Sequence, residues 1–248
     1  MTVIPRRTLL AGAGIAAATA FIPRTQAAAA SAPTLITVPP GQPLTYGVLG
    51  DSITGRGSFA SDPSLTWTAL LQARLAQTWT VTRVNGTTHT DAQDLTCLGT
   101  VDTVPSGCNL VVVGLGTNDC REMTGSSYTY SPTQTYNSAG TLFAEVAAAN
   151  PAAVIVSLGV WGDTTVQWTM SGSTTPVSRV ARWDALIGEQ VAKNGGITVP
   201  AADLYGYSPN RLPAGVAAFG GYTTDGFHPN DAGHAALYAR VASWLRLP

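Results

Sequence analysis

Charge is scarce in this sequence. Of its 248 residues, 11% are Asp, Glu, Lys or Arg, and 13 basic against 14 acidic side chains leave a net charge of −1. Arg6, Arg7 and Arg24 fall within the first 32 residues, so the remainder carries ten basic against fourteen acidic residues, a net of −4. That balance leaves no electrostatic footprint for nucleic acid or an anionic membrane surface. Beyond residue 22 no apolar run is long enough to span a bilayer. Histidine and cysteine each occur three times, with no CxxC pair and no Cys/His cluster, which argues against a structural zinc site. No phosphate-cradling Gly-rich loop opens the first helical segment, which argues against a flavodoxin-like nucleotide binder. Internal repeats are absent, and no linker follows Ala32. No metal or cofactor is called for.

The N-terminal segment is read apart from the fold. Arg6-Arg7-Thr8-Leu9-Leu10 precedes a small, apolar run from Ala11 to Ile22, and then Ala27 to Ala32 offers several small-residue cleavage sites. Charge, apolar core and small residues, in that order, make an export signal. The paired arginines resemble a twin-arginine signal, with an ordinary secretory signal or a retained anchor as the alternatives. Residues 1–32 are therefore expected to be cleaved on export to a periplasmic or extracellular space. Residues 33–248 are expected to form one catalytic domain, a monomer with no stable membrane insertion. In such a compartment Cys97, Cys108 and Cys120 suggest one disulfide and one spare thiol, with Cys97–Cys108 preferred, Cys120 able to replace either partner, and three reduced thiols as the alternative.

Near-continuous Val/Ile/Leu runs predict buried strands over 46–50, 110–115, 153–158 and 197–200. A fifth strand over 79–84 has Thr at alternate places and is expected nearer an edge. Helical spacing links Trp67, Leu70, Leu71 and Leu75 behind an Asp62-Pro63 start. A second helix opens at Ser131-Pro132 and runs through Leu142, Phe143 and Val146 to Asn150-Pro151. A third joins Val177, Val180, Trp183, Leu186 and Ile187 and closes at Asn194-Gly195-Gly196. The last holds Leu237, Val241, Trp244 and Leu245. This alternation predicts a three-layer α/β/α sandwich on a mostly parallel sheet of about five strands. Segments 121–130, 162–175 and 205–224 read as loops.

Four weak chemical signals lie at strand ends or just beyond them. Gly50-Asp51-Ser52-Ile53-Thr54 puts a serine on the turn after the first strand, where open α/β sheets place ligands. A serine hydroxyl needs a base before it becomes a nucleophile. His228 in Asp225-Gly226-Phe227-His228-Pro229 is the candidate base, with Asp225 able to hold its other ring nitrogen. The plainer reading is that Asp225 caps a helix and His228 packs. Gly116-Thr117-Asn118-Asp119 follows the strand over 110–115, and the Asn118 amide could donate to a developing oxyanion. Alternatively, Gly and Asn serve there as turn residues. Asn85-Gly86-Thr87-Thr88 follows the 79–84 strand, and the Gly86 N–H is a further possible donor. His89 lines a pocket or the surface, and His234 is expected to be structural.

In order and spacing these blocks resemble the SGNH hydrolases, the GDSL esterase/lipase family. GDS(I/L), GxND and DxxH are matched by Gly50–Ile53, Gly116–Asp119 and Asp225–His228. The resemblance covers nearly all of the chain after residue 32 and implies the flavodoxin-like SGNH fold. It implies Ser52 as nucleophile, His228 as base and Asp225 as its orienter, with an oxyanion hole of Ser52 N–H, Gly86 N–H and the Asn118 side chain. The second block departs from the family's SGxT-like pattern, so His89 or Thr90 could supply that N–H instead. The implied activity is hydrolysis of carboxylic esters through an acyl-enzyme, on a small-molecule or polysaccharide substrate. Acyltransfer, or O-deacetylation of carbohydrate with Trp161, Trp168, Tyr205 or Tyr207 stacking on sugar, would use the same site, though these aromatics could equally be core residues. A non-catalytic binding domain would need a damaged triad, and none of its residues is missing.

Overall fold

Successive side chains of a strand point to opposite faces, and here that period sorts one apolar run into two cores. In the run Leu110-Val111-Val112-Val113, Leu110 and Val112 join one cluster and Val111 and Val113 the other. Covering both faces of such a strand takes helices above and below, and that is the architecture of the computed structural model. It describes residues 34–55, 59–86, 96–120, 122–124, 127–128, 130–162, 167–169, 176–205, 221–223 and 227–247.

The central strands are β1 (Pro43–Gly50), β2 (Thr80–Asn85), β3 (Leu110–Gly114), β4 (Val154–Leu158) and β5 (Ile197–Val199). All pair in parallel, in the order β5-β4-β3-β1-β2. The five-stranded parallel sheet and the α/β/α layering agree with the sequence reading. Strand β2 is an edge, and its side chains are exposed or half-buried along its length. The β1 strand begins three residues earlier than the apolar run suggests. Its start is carried by sheet pairing, with Pro43 opposite Thr80 and the Thr45 N–H donating to Asn109 Oδ1 at 2.8 Å.

Four longer helices cover the sheet: α1 (Trp67–Leu75), α2 (Pro132–Ala149), α3 (Arg179–Lys193) and α4 (Asp231–Trp244). Helices α1 and α4 pack together on the face of Tyr46, Val48 and Val156, and α2 and α3 on the face of Val111, Val113 and Ile155. Asp62-Pro63 starts a single 3-10 turn, Pro63–Leu65, and the α-helix begins only at Trp67. At α2 a capping box forms: Ser131 accepts the Gln134 N–H, and Gln134 accepts the Ser131 N–H. Ser178 caps α3, which leaves Val177 in a short strand instead of on the helix. Two of the expected loops hold antiparallel pairs, Glu122–Thr124 with Ser127–Tyr128 and Gln167–Thr169 with Pro176–Ser178. β-branched and aromatic residues such as Thr, Val, Tyr and Trp suit these short pairings.

The disulfide expectation is corrected. Cys97, Cys108 and Cys120 are all free and buried. Each sulfur has its own surroundings: Cys108 Sγ faces the Ser106 carbonyl at 3.6 Å, and Cys120 Sγ the Thr117 carbonyl at 3.3 Å. Cys97 lies against Asp119. Among the described residues no helix is long and apolar enough to cross a membrane. The 1–32 segment, Asp225, His89, Thr90 and Tyr207 lie outside the described residues.

Candidate active site

In this strand order the chain leaves β1 toward β2 on one side and reaches β3 on the other, so the carboxyl ends of β1 and β3 flank a topological switch point. Ser52 follows β1 and Asn118 follows β3. The serine turn is built tightly. Asp51 N–H donates to the Gly114 carbonyl at 3.1 Å, and Thr54 Oγ1 to the same carbonyl at 3.0 Å. A Cβ on Gly50 or Gly114 would lie 2.3 or 2.1 Å from Thr54 Oγ1, so only glycine leaves room for that side chain. Residues Ser52–Gly55 then make one helical turn, with the N–H groups of Thr54 and Gly55 on the Asp51 carbonyl. Helix α1 secures it from outside. Trp67 Nε1 donates to the Ile53 carbonyl at 3.2 Å and Thr68 Oγ1 to the Thr54 carbonyl at 3.2 Å.

His228 reaches this turn across 176 residues, with Nε2 at 3.1 Å from Ser52 Oγ. Its segment is anchored on both sides. Thr223 and Pro229 form an isolated antiparallel bridge, and the Asn230 N–H donates to the Tyr222 carbonyl at 2.9 Å. Asn230 also caps α4 through the Gly233 N–H at 3.0 Å. On the other side Trp161 Nε1 donates to the Phe227 carbonyl at 2.6 Å. The imidazole stacks face to face on Phe59, centroids 3.6 Å apart and planes within 6°, and meets Phe227 edge-on at 4.9 Å. A ring held this way presents Nε2 to Ser52 in the geometry a general base needs.

The third element is equally fixed. Asn118 is 2% exposed and donates through Nδ2 to Asp51 Oδ2 at 3.2 Å. On one side of it, Thr117 Oγ1 donates to the Trp161 carbonyl at 2.9 Å. On the other, the Asp119 carboxyl accepts the Cys97 N–H with both oxygens, at 3.1 and 3.3 Å. Burial raises the pKa of Asp119 to about 6 against the pull of that N–H, and burial likewise pushes the Cys97 thiol well up.

Gly86 directly follows β2, and its N–H donates to the Val48 carbonyl at 2.8 Å. Sheet pairing therefore takes the donor that sequence reasoning offered to an oxyanion. A Cβ there would meet the Thr103 carbonyl oxygen at 2.3 Å, so close packing accounts for the glycine. Trp161 is 1% exposed and belongs to the core, not to a sugar-stacking rim. Tyr205 is half-buried and packs edge-on against it at 5.4 Å. Trp161, Thr117, Cys120, Arg179, Tyr205 and Phe227 line a cavity of about 110 Å³ beside the site. His234 is structural in a specific way. Thr66, the N-cap of α1, makes no side-chain cap, and His234 Nδ1 on α4 accepts the Trp67 N–H at 3.3 Å instead.

The structure thus brings Ser52, His228 and Asn118 to one crevice, removes Gly86 from the donors and leaves Asp225 unplaced. Phe59, Trp161 and Asp51 support the site without having been singled out for that work. Asp51 stood in the serine motif, which was its signal, whereas Phe59 had none. Among the described residues no three His, Cys, Asp or Glu side chains gather as metal ligands would.

The profile of the GDSL-like lipase/acylhydrolase family matches residues 48–236. No curated protein sequence matches the chain. Among solved structures, a putative GDSL-like lipase from Parabacteroides merdae is similar over 82% of this chain and 96% of its own, with a TM-score of 0.56 at 13% identity. LAE5, an alpha/beta hydrolase enzyme from the Lake Arreo metagenome, is similar over 81% and 94%, with 0.55 at 18%. A Corynascus thermopiles carbohydrate esterase family 2 enzyme with a carbohydrate binding domain is similar over 83% of this chain and 66% of its own, with 0.53 at 18%. At these identities the likeness is one of fold.

Proposed function

This chain belongs to the GDSL-like lipase/acylhydrolase family, and from that premise we propose that it is a serine esterase cleaving carboxylic esters through an acyl-enzyme on Ser52. The observation that carries the reading is the 3.1 Å contact of His228 Nε2 with Ser52 Oγ. Ser52 Oγ attacks the ester carbonyl carbon as its proton passes to His228 Nε2. The oxyanion is held by the Ser52 N–H and the Asn118 amide. His228 then protonates the departing alcohol. Water attacks the acyl-serine with His228 again as base, releasing the acid and restoring the serine. Asp225, three residues before His228, accepts the Nδ1–H and stabilises the imidazolium. A second backbone donor comes from the stretch just after Gly86, where His89 or Thr90 follows.

The 110 Å³ cavity beside Thr117 and Phe227 favours a short acyl group. Acetyl esters of carbohydrates are the second reading this size supports, in keeping with the fold shared with a carbohydrate esterase. Residues 1–32 serve as the export signal, which N-terminal sequencing of the secreted enzyme would test.

The decisive experiment is Ser52→Ala assayed on p-nitrophenyl acetate. The expected outcome is a loss of kcat of at least about a thousandfold with an unchanged melting temperature. Near-normal turnover would refute the mechanism.

A further inference from the structure

Strand β4 ends at Leu158, and the backbone N–H groups just beyond it go to three different parts of the fold. Gly159 donates to the Val199 carbonyl at the end of β5 at 2.7 Å. Val160 donates to Asp184 Oδ1 on α3 at 2.9 Å. Trp161 donates to Thr117 Oγ1 at 3.2 Å, and that hydroxyl donates in turn to the Trp161 carbonyl at 2.9 Å. One side chain thus satisfies both backbone groups of Trp161, and it belongs to the residue before Asn118.

The indole N–H of Trp161 reaches the other way. It donates to the carbonyl of Phe227, the residue before His228, at 2.6 Å. Trp161 is 1% exposed and Thr117 5%, so water does not compete for these bonds. An indole is a rigid plane with one N–H to give, and only two side-chain torsions separate it from the backbone. Trp161 is therefore a short, stiff link between the segment that carries the base and the loop that carries the amide. Those two groups come from distant parts of the chain, yet the proposed reaction needs both on one tetrahedral carbon. A misplacement of about 1 Å can cost roughly a hundredfold.

We propose that Trp161 is a positioning residue that sets His228 against Asn118, holding the base through the Phe227 carbonyl and the amide through Thr117. This rests on the esterase reading and on Asn118 as an oxyanion donor.

The test is steady-state kinetics on p-nitrophenyl acetate and butyrate, with thermal melts, for Trp161→Phe, Thr117→Val, Thr117→Ser and the double variant of the first two. Trp161→Phe keeps an aromatic ring and removes the N–H. Thr117→Val keeps the shape and removes the hydroxyl, which Thr117→Ser retains. Well below the melting temperature, Trp161→Phe and Thr117→Val should each lower kcat about 10- to 30-fold with KM within about twofold. Thr117→Ser should stay within about threefold of wild type, a rescue that loss of core packing alone would not give. The double variant should lie no more than about threefold below the poorer single one, because either cut breaks the same link. Both side chains also line the cavity beside the site. A loss through that cavity would depend on acyl size, whereas a loss of alignment is the same on both esters.

Wild-type kcat in either single variant, losses that multiply, losses that differ between the esters, or a Thr117→Ser enzyme as slow as Thr117→Val each overturn the proposal alone. If Trp161→Phe does not fold, the contrast between Thr117→Val and Thr117→Ser decides. If Thr117→Val does not fold either, the link is scaffold and the proposal falls. A wild-type enzyme inactive on every ester would sink the esterase reading itself.

Discussion

The imidazole of His228 is steadied in part by an aromatic neighbour that lies far from it in sequence. Phe59 stacks on it at 3.6 Å, and such a face would also favour the imidazolium of the proposed mechanism, by about 0.5–2 kcal/mol. Phe59→Ala is therefore expected to lower kcat up to about tenfold with little change in KM, measured by steady-state kinetics. An unaltered kcat would show that the stacking does not matter. At Gly86 the expectation is structural. A Cβ would press on the Thr103 carbonyl, and overpacking of this kind costs about 1–3 kcal/mol. Gly86→Ala should therefore melt about 2–12 °C lower and keep its kcat below the transition. A fallen kcat at unchanged melting temperature would return Gly86 to the oxyanion hole. Ser52, Asn118 and His228 were legible because each stands in a short block at a strand end. Phe59 and Trp161 were not, because their partners are set by chain crossings that leave no local pattern.

At the scale of elements, the strands could be read from their apolar runs, and the helices from their spacing and caps. The start of α1 could not. Its cap comes from His234 on α4, about 170 residues away. That imidazole is fully buried, and burial lowers its pKa from 6.5 to about 4, opposed by Asp231 and reinforced by His228. The folded protein then refuses a proton that the unfolded chain takes up below pH 6.5, so this contribution to stability is lost as pH falls from 6.5 toward 4. The 2.5-unit gap corresponds to about 3 kcal/mol. Asp119 works the other way. Its folded pKa of about 6 lies above the ordinary 3.8, so it favours the folded state at low pH and loses that advantage as pH rises from 3.8 through 6. His234→Asn keeps a carbonyl for the Trp67 N–H but does not titrate. Urea unfolding at pH 7 and pH 4 should show its stability relative to wild type improving by about 3 kcal/mol on acidification. A constant difference would count against the cap. The cysteines belong to this scale too. Their separate partners, and not their spacing, leave them as thiols.

For the whole molecule, the two ends of the 33–248 unit are joined by the parallel pairing of Thr34–Leu35 with Leu245–Arg246. Leu245 is 3% exposed and sits in the α1/α4 core. Removing residues 245–248 deletes this pairing and a buried leucine, which costs about 2–5 kcal/mol. Calorimetry should show a melting temperature about 4–20 °C lower, with kcat retained at low temperature because Ser52, Asn118 and His228 are untouched. An unchanged melting temperature would mean the end pairing carries no stability.

Runs of Val, Ile and Leu broken by Gly, Pro and Asn determined by themselves that this chain makes a parallel α/β sheet, because only strands covered on both faces can be apolar throughout. The same local punctuation marked the serine turn, the Asn loop and the histidine before the last helix. The tertiary structure decided what each group has left to give. Gly86 was a donor on paper until β1 claimed its N–H, and Asp51 was a turn residue until β3 brought Asn118 within 3.2 Å of it. A backbone N–H has one hydrogen to give, and which acceptor takes it depends on strand order, a long-range property that no short stretch of sequence contains.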